Sequence, residues 1–89
     1  AEVFVKNKHL NLTRKEYDLL VFFLYNPNRL LPKESIAEHL WGDHADQADN
    51  FDFVYSHIKN LRKKIVDAGG VNYIKSMYGM GYKFVMEET

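Results

Sequence analysis

The sequence predicts an α+β domain with short N-terminal antiparallel strands, three helices and a C-terminal β-hairpin. Three observations support this prediction: a capping box ahead of an apolar helical repeat, a long amphipathic segment from Phe51 to Ala68, and two alternating stretches around a glycine-bearing turn near the C-terminus. The chain has 89 residues, of which 46% are hydrophobic, so it can bury one modest core and no second. We therefore expect one domain over residues 1–89.

The first third of the chain contains two strand-like stretches and a well-marked helix start. EVFV and KHLNL predict two short strands, with Asn7 and Lys8 as the turn between them. Thr13 and Glu16 have the spacing of a capping box, which predicts a helix beginning there. Pro27 ends this helix because it cannot continue one. Apolar residues recur at i, i+3, i+4 and i+7, and we expect this face to be buried: Tyr17, Leu20, Val21 and Leu24.

A second, shorter helix is predicted from about Lys33 to Trp41. Pro32 suits its entry because the first turn of a helix leaves backbone N–H groups unpaired anyway, and Gly42 suits its end. Its inner side is expected to contain Ile36, Leu40 and Trp41. The next stretch, DHADQADN, is expected to be an acidic loop.

The third and longest helix is predicted from Phe51 to about Ala68, after an N-cap at Asp49 or Asn50 and before a closing pair of glycines. At about 100° per residue, one narrow stripe is apolar and should face the core: Val54, Ile58, Leu61 and Ile65. The opposite face carries hydrogen-bonding or cationic side chains: Ser56, Lys59, Asn60 and Lys63. One flank between the two faces contains His57, Lys64 and Phe53, and the other contains Arg62 and Tyr55.

The C-terminal stretches YIKSM and YKFV alternate around YGMG, which predicts a β-hairpin. The hairpin carries Lys75 and Lys83 and follows the three helices. Together these elements describe a winged helix-turn-helix, in which the longest helix enters the major groove of DNA and the wing lies along the backbone.

The formal net charge of +0 hides a separation of charge along the chain. Residues 1–33 include six basic and three acidic residues, residues 34–52 include six acidic and no basic residues, and residues 53–86 include six basic residues and one acid. A polyanion should therefore approach the domain from one side. The alternative interpretation is that these blocks are ordinary solvated surface.

The outer face of the third helix has the chemistry of a DNA-contacting surface. An α-helix fits the major groove, where Asn can pair in bidentate fashion with adenine and Lys can reach guanine O6 and N7 or a phosphate. A basic helix face is also common as plain solvated surface. Its position between two shorter helices and a basic hairpin favours DNA binding.

Four motifs, LTRKEYDLL, AEHLWG, HIKNLRKKI and YIKSMYGMGYKF, resemble the effector domain of the OmpR/PhoB family of bacterial two-component response regulators. They occur in the expected order and cover almost the whole chain. The resemblance implies a receiver domain, phosphorylated by a sensor histidine kinase, which is absent from this chain together with the start of the N-terminal sheet. It also implies binding to tandem direct repeats, a cytoplasmic location in a bacterium, and contact with RNA polymerase through the acidic loop 43–49.

The same resemblance implies roles for individual residues. It puts Lys59 and Asn60 in the major groove, where Asn60 replaces a frequent Arg and so favours adenine over guanine. Tyr78 stands where the wing often offers an Arg to the minor groove, which puts minor-groove insertion in doubt. The residues expected to contact DNA are Ser56, His57, Lys59, Asn60, Arg62, Lys63, Lys64, Trp41, Lys75, Ser76, Tyr78, Tyr82 and Lys83. For Arg62 the alternative is a salt bridge to the domain's own acids, and for Trp41 and Tyr82 it is a core position with a polar atom at the surface.

Other classes of function find little support in the sequence. No cysteine is present, no Ser-His-Asp arrangement has a supporting motif, and no ligand spacing typical of zinc or calcium sites occurs, so we expect no enzyme, no cofactor and no metal. No apolar run approaches the roughly 18 residues that span a bilayer, so we expect no membrane partner. The remaining alternative is a winged helix that acts as a protein–protein interaction module without binding DNA.

Overall fold

The computed structural model describes residues 2–42 and 51–86, so the predicted acidic loop lies outside the described residues. Within these ranges the elements confirm the predicted α+β order and add one strand that was not predicted, β3. They are β1 Val3–Val5, β2 Lys8–Leu10, α1 Arg14–Leu24, β3 Leu30–Leu31, α2 Lys33–Trp41, α3 Asp52–Asp67, β4 Ile74–Met77 and β5 Gly81–Phe84.

The N-terminal strands form an antiparallel hairpin in which Val3 lies opposite Leu10. Its turn is formed by Lys6 and Asn7, with φ angles of 47° and 69°. Positive φ at both central residues is typical of a type I′ turn, whose backbone matches the right-handed twist of the two strands. The predicted turn at Asn7 and Lys8 is therefore wrong by one position, because Lys8 already belongs to β2.

Helix α1 begins with the predicted capping box. The Thr13 hydroxyl accepts a hydrogen bond from the Glu16 backbone N–H at 3.2 Å, and the Glu16 carboxylate accepts one from the Thr13 N–H at 3.0 Å. The buried face, however, is the one next to the predicted face: Glu16, Leu19, Leu20 and Phe23. Apolar residues of α1 lie on more than one side of the helix, so the apolar repeat fits two neighbouring faces. The face that is buried includes the charged residue Glu16, and a prediction from hydrophobicity alone therefore selects the wrong face.

Helices α2 and α3 have nearly the predicted bounds. Helix α2 ends at Gly42, whose φ of 59° lies in the left-handed region. Helix α3 has Phe51 in its N-cap position and Asp52 in its first turn, where the helix dipole favours negative charge. The predicted N-cap at Asp49 or Asn50 is therefore wrong, because the helix begins at Asp52 and Phe51 takes the N-cap position.

The end of α3 is a glycine C-cap. Gly69 has a φ of 96°, and its N–H donates to the carbonyl of Val66 while the N–H of Gly70 donates to the carbonyl of Ile65, both at 2.9 Å. This pair of hydrogen bonds defines a Schellman motif, which satisfies carbonyls that the helix itself leaves unpaired.

The apolar stripe of α3 lies at the centre of the core, as predicted. Its four residues are between 0% and 4% exposed: Val54, Ile58, Leu61 and Ile65. They share one buried cluster with Leu19 and Phe23 of α1, Ile36 of α2, and Ile74 and Phe84 of the C-terminal hairpin. The outer side of α3 therefore points away from the rest of the domain.

The C-terminal hairpin, which we call the wing (β4, β5 and their turn), belongs to a three-stranded antiparallel sheet in the order β3-β5-β4. Tyr82 lies opposite Ser76 of β4 on one side and opposite Leu31 of β3 on the other. Strand β3 has two residues, which is too short for any alternation to be visible in the sequence. It ties the wing to the connection between α1 and α2.

Gly81 allows β5 to approach β3 closely. Its φ is 149°, and a Cβ at this position would lie 2.3 Å from the carbonyl oxygen of Leu31 and 2.8 Å from Cα of Pro32. Both neighbours are backbone atoms of the adjacent strand connection, so they cannot move aside as a flexible side chain would.

Gly81→Ala should therefore lower the free energy of unfolding by about 1–3 kcal/mol, because the added methyl group overlaps the β3 backbone. Urea denaturation measures the loss. Gly79→Ala is the matched control, since Gly79 has a φ of 73° but no atom within 4 Å of a Cβ, and it should lose only about 1 kcal/mol from the left-handed backbone. Equal losses for the two variants would contradict this account of Gly81.

Candidate nucleic-acid interface

The outer face of α3 is exposed at all four predicted positions: Ser56, Lys59, Asn60 and Lys63. Within the described part of the chain, the side chains of Lys59 and Asn60 make no hydrogen bond or ion pair. Lys63 lies 2.7 Å from the Asp67 carboxylate, and this hydrogen bond raises the pKa of Lys63, so its ammonium stays charged. The face therefore offers an amide, a hydroxyl and two cations to a ligand outside the domain.

One flank of α3 packs against the end of α2. The ring centroid of Trp41 lies 4.4 Å from that of Phe53 and 5.0 Å from that of His57, both edge-on. His57 Nδ1 lies 2.7 Å from the carbonyl oxygen of Phe53. A carbonyl oxygen only accepts hydrogen bonds, so Nδ1 carries the proton and Nε2 is the nitrogen left for a further partner. Trp41 and His57 are both half-buried at the border of the exposed face.

A lysine of α1 fixes Trp41 from the other side. Lys15 donates a hydrogen bond to the carbonyl of Leu40 and places its Nζ 5.3 Å from the centroid of the Trp41 ring. The cation is attracted by the face of the indole, and it also satisfies a carbonyl at the end of α2. Neither contact has a signal in the sequence, because Lys15 lies in an ordinary charged position of the first helical turn.

Further along the same flank, Lys64 turns inward instead of outward. Its Nζ lies 2.5 Å from the carboxylate of Glu16 and 2.9 Å from the carbonyl oxygen of Asn11. Glu16 is only 3% exposed whereas the Lys64 side chain is 35% exposed, so this ion pair joins α1 to α3 at the edge of the core. Burial alone raises the pKa of Glu16, but the hydrogen bonds and charge of Lys64 together with the bonds from Thr13 outweigh it, and the net pKa is lowered.

The other flank of α3 contacts the wing. Arg62 Nη2 donates hydrogen bonds to the carbonyl oxygen of Ile74 at 2.9 Å and to the Ser76 hydroxyl at 3.3 Å. The rings of Tyr55 and Tyr82 are 6.5 Å apart. Burial raises the pKa of the Tyr82 hydroxyl, Tyr55 adds to the rise and the charge of Arg62 opposes it, so this hydroxyl keeps its proton at neutral pH and can donate.

The two faces of the wing differ in chemistry. Ser76 lies opposite Tyr82 on the face that contacts α3, whereas Lys75 lies opposite Lys83 on the other face. The structure therefore does not bring Lys75 and Lys83 together with the outer residues of α3. The exposed end of the hairpin does lie beside the helix: Tyr78 is 101% exposed, and a groove of about 250 Å³ is lined by Tyr55, Lys33 and residues 76–82.

A buried helix stripe, an exposed polar opposite face and a hairpin joined to the helix flank define a winged helix-turn-helix. Residues 7–84 match the family described as "Transcriptional regulatory protein, C terminal". The chain is 33% identical over 89 residues to the transcriptional regulatory protein SrrA of Staphylococcus aureus, a match that covers 98% of this chain and 36% of that protein. The chain thus spans about a third of the length of the curated relatives it matches.

Solved structures agree with this match. The response regulator DrrB of Thermotoga maritima, described as an OmpR/PhoB homologue, has a TM-score of 0.80 at 32% identity, covering 96% of this chain and 38% of that one. The DNA-binding domain of the response regulator AdeR, solved in complex with an intercistronic region, has a TM-score of 0.81 at 26% identity, covering 94% and 84%. The chain belongs to the C-terminal domain family of OmpR/PhoB-type transcriptional regulatory proteins, which confirms the predicted identification.

Within residues 2–42 and 51–86, no group of three or more His, Cys, Asp or Glu side chains is arranged to hold a metal ion. None of the helices in the same ranges combines the length and the apolar character that crossing a bilayer requires.

Acid should weaken the domain through Glu16. Because the pKa of this carboxyl is lowered in the folded chain, its ionised form stabilises the fold above the ordinary value of 4.5, and the contribution is lost as the pH falls through the lowered pKa. Glu16→Gln should lower the free energy of unfolding at pH 7 by about 1–3 kcal/mol, because the charge-assisted hydrogen bond from Lys64 is weakened. It should also flatten the decline of that free energy in acid.

Urea unfolding at several pH values measures both effects. Asp67→Asn is the matched control, since it removes the partner of an exposed ion pair and should change the unfolding free energy by less than about 1 kcal/mol. An acid-induced decline of the same steepness in the Glu16→Gln variant and the unsubstituted chain would show that Glu16 is not its source.

Proposed function

We propose that this domain binds double-stranded DNA in a sequence-specific manner, with α3 in the major groove, as the output domain of a bacterial two-component response regulator that controls transcription. The observation that carries the proposal is the outer face of α3, where Lys59 and Asn60 are exposed and have no partner among the described residues. A helix whose opposite face is fully buried can present such side chains to a groove without rearrangement.

Family membership supports this function over the alternative of a protein–protein interaction module. The matched family is one of transcriptional regulators, and the AdeR domain, which has the same fold, was solved bound to DNA. The zero net charge of the chain does not oppose DNA binding, because charge is separated along the sequence. The regulatory description of the family likewise favours a binding function over an enzymatic one.

We assign the base contact at the centre of the outer face to Asn60, which offers the bidentate pair of donor and acceptor that matches adenine. Lys59 beside it offers a cation, which we assign to a phosphate. Ser56 and Lys63 lie one turn to either side on the same exposed face. The remaining contacts are proposed to the sugar-phosphate backbone beside α3: Trp41, His57, Arg62, Lys64, Ser76, Tyr78 and Tyr82. Lys75 and Lys83 lie on the face of the wing turned away from α3, so they would reach only a phosphate further along the duplex.

Two of these backbone contacts need a change of partner. Lys64 is engaged by buried Glu16, and Arg62 by the wing, so neither cation is available to a phosphate unless it gives up or shares its present bonds. Tyr82 and His57 need no such change, because the Tyr82 hydroxyl and His57 Nε2 have no hydrogen-bond partner among the described residues.

The larger protein is also a proposal. The match to SrrA covers 36% of that relative, which leaves room for the receiver domain that a sensor histidine kinase would phosphorylate. Phosphorylation would then favour two such domains on tandem direct repeats in the bacterial cytoplasm. The acidic loop 43–49 would offer a surface to RNA polymerase.

Binding of a selected DNA duplex should depend steeply on salt. With roughly 3 to 5 phosphate contacts, the plot of log affinity against log salt should have a slope of about −3 to −4.5, and Lys59→Ala should reduce its magnitude by about 1. Fluorescence anisotropy at several salt concentrations measures the slope. Lys8→Ala removes the same charge from the exposed N-terminal hairpin and should leave the slope unchanged. Salt-independent binding would instead favour the protein-interaction module.

Asn60→Ala should relax base preference at one position of the binding site by about 1–3 kcal/mol, because the bidentate contact with adenine is lost. Selection of bound duplexes from a random pool, performed on this variant and on the unsubstituted chain, compares the two motifs. Lys59→Ala is the matched control, and we expect it to weaken binding broadly while preserving the motif. An unchanged motif for Asn60→Ala would contradict the assignment of this residue to a base.

A further inference from the structure

Arg62 connects two elements that the proposed function places on the same duplex. It leaves α3 on the wing side, and its Nη2 bonds both Ile74 and Ser76, which are alternate residues on one face of β4. Its Nε–H is buried and has no hydrogen-bond partner in the described part of the chain. The guanidinium is thus inserted between helix and wing instead of extending into solvent.

The other attachments of the wing either anchor its base in the core or join it to β3 and not to α3. Ile74 and Phe84 anchor that base in the core, and β5 pairs with β3 only through Tyr82 and Lys83. Beyond Ser76, the turn is held by its own hydrogen bond from the Met80 N–H to the Met77 carbonyl. Among the described residues, the Arg62–Ser76 bond is therefore the polar link between α3 and the wing that lies closest to the exposed tip.

The free end of the wing carries exposed hydrophobic side chains. Tyr78 is 101% exposed and Met80 is 59% exposed, and neither belongs to the buried core. A hairpin of this kind binds a ligand more tightly when its direction relative to α3 is fixed, because a loose hairpin loses conformational entropy on binding. A planar guanidinium with two directed bonds supplies that restraint better than an ammonium on a flexible stem.

We propose that Arg62 is a positioning residue: it sets the direction of the wing tip relative to the base-contacting face of α3, and Tyr78 contacts the duplex only when that direction is held. The proposal rests on the proposed DNA-binding function. It replaces the sugar-phosphate contact given above for Arg62, because the guanidinium keeps its hydrogen bonds to Ile74 and Ser76 instead of giving its charge to a phosphate. A phosphate contact predicts that Arg62→Lys keeps affinity, that the losses from Arg62 and Tyr78 substitutions are additive in free energy, and that the salt slope falls. A positioning role predicts the opposite in each case.

A double-mutant cycle on this chain, with a selected duplex, separates them. Tyr78→Ala should weaken binding by roughly threefold to tenfold in the unsubstituted chain but by less than about twofold when Arg62→Ala is already present, since contacts that share one restraint are not additive. Arg62→Ala combined with Asn60→Ala should instead multiply the two losses, because the base contact comes from the helix itself.

Two further readouts distinguish positioning from a phosphate contact. Arg62→Ala should leave the salt slope unchanged, whereas loss of a phosphate contact would reduce its magnitude by about 1. Arg62→Lys keeps the charge, but its shorter and flexible ammonium side chain lacks the planar guanidinium that places Nη2 against β4, and it should bind about as weakly as Arg62→Ala. If Arg62→Ala proves poorly folded by circular dichroism, Ser76→Ala removes the tip-side acceptor alone, and Tyr78→Ala should then lose part of its effect in that background.

The proposal is overturned if Tyr78→Ala does not weaken binding in the unsubstituted chain. It is also overturned if the losses of affinity from Tyr78→Ala and Arg62→Ala multiply in the double variant while Arg62→Ala lowers the magnitude of the salt slope. Rescue of affinity by Arg62→Lys would also overturn it. Failure of the proposed function itself has a separate signature, because the unsubstituted chain would then bind no selected duplex at all.

Discussion

Four apolar side chains of α3 lie between 0% and 4% exposed against the other elements of the domain, and their burial decides where every other side chain of that helix points. Full burial of a Val, Leu or Ile side chain contributes about 1.5–3 kcal/mol. Rotating α3 by a single residue position would expose this stripe and bury charged Lys59 and Arg62 in its place. The direction of the proposed base-contacting face thus follows from the packing of its reverse side.

The cations of α3 have different partners. Lys64 forms an ion pair with buried Glu16, whose negative charge would otherwise be costly because nothing would compensate it. Arg62 joins the wing, and Lys63 pairs with Asp67 at the surface. Only Lys59 among the four has no partner within the described residues. A cluster of basic residues in a helix sequence therefore includes cations that bind other parts of the domain as well as cations that are available to DNA.

The sequence predicted α3 well because its apolar and polar faces are distinct, so that periodicity leaves one solution. The prediction of the buried face of α1 was wrong because apolar residues lie on more than one side of that helix. The buried face also includes Glu16, whose charge does not indicate burial. Strand β3 escaped prediction since two residues show no pattern. Its pairing depends on β5, which lies about 50 residues later in the chain.

The difference between what a local pattern predicts and what tertiary contacts decide also applies to the candidate interface. Exposure of Ser56, Asn60 and the other outer residues follows from helical geometry alone, and the sequence predicted it. The partners of Lys64 and Arg62 do not follow from any local pattern, because they lie 48 and 12 residues away along the chain. Whether a cation is available to DNA is thus decided by tertiary contacts, after the helix and its faces are already determined.

Local charge, and not net charge, governs how a domain of this size meets a polyanion. Its principal extents are 39 × 26 × 19 Å, whereas electrostatic interactions in solution are screened over about 8 Å at physiological ionic strength. Charges on different sides of the domain therefore act almost independently on an approaching phosphate. A duplex at the outer face of α3 is influenced mainly by Lys59 and by the Lys63–Asp67 pair, and not by the acids on other sides of the domain, so a formal net charge of +0 is compatible with salt-dependent DNA binding.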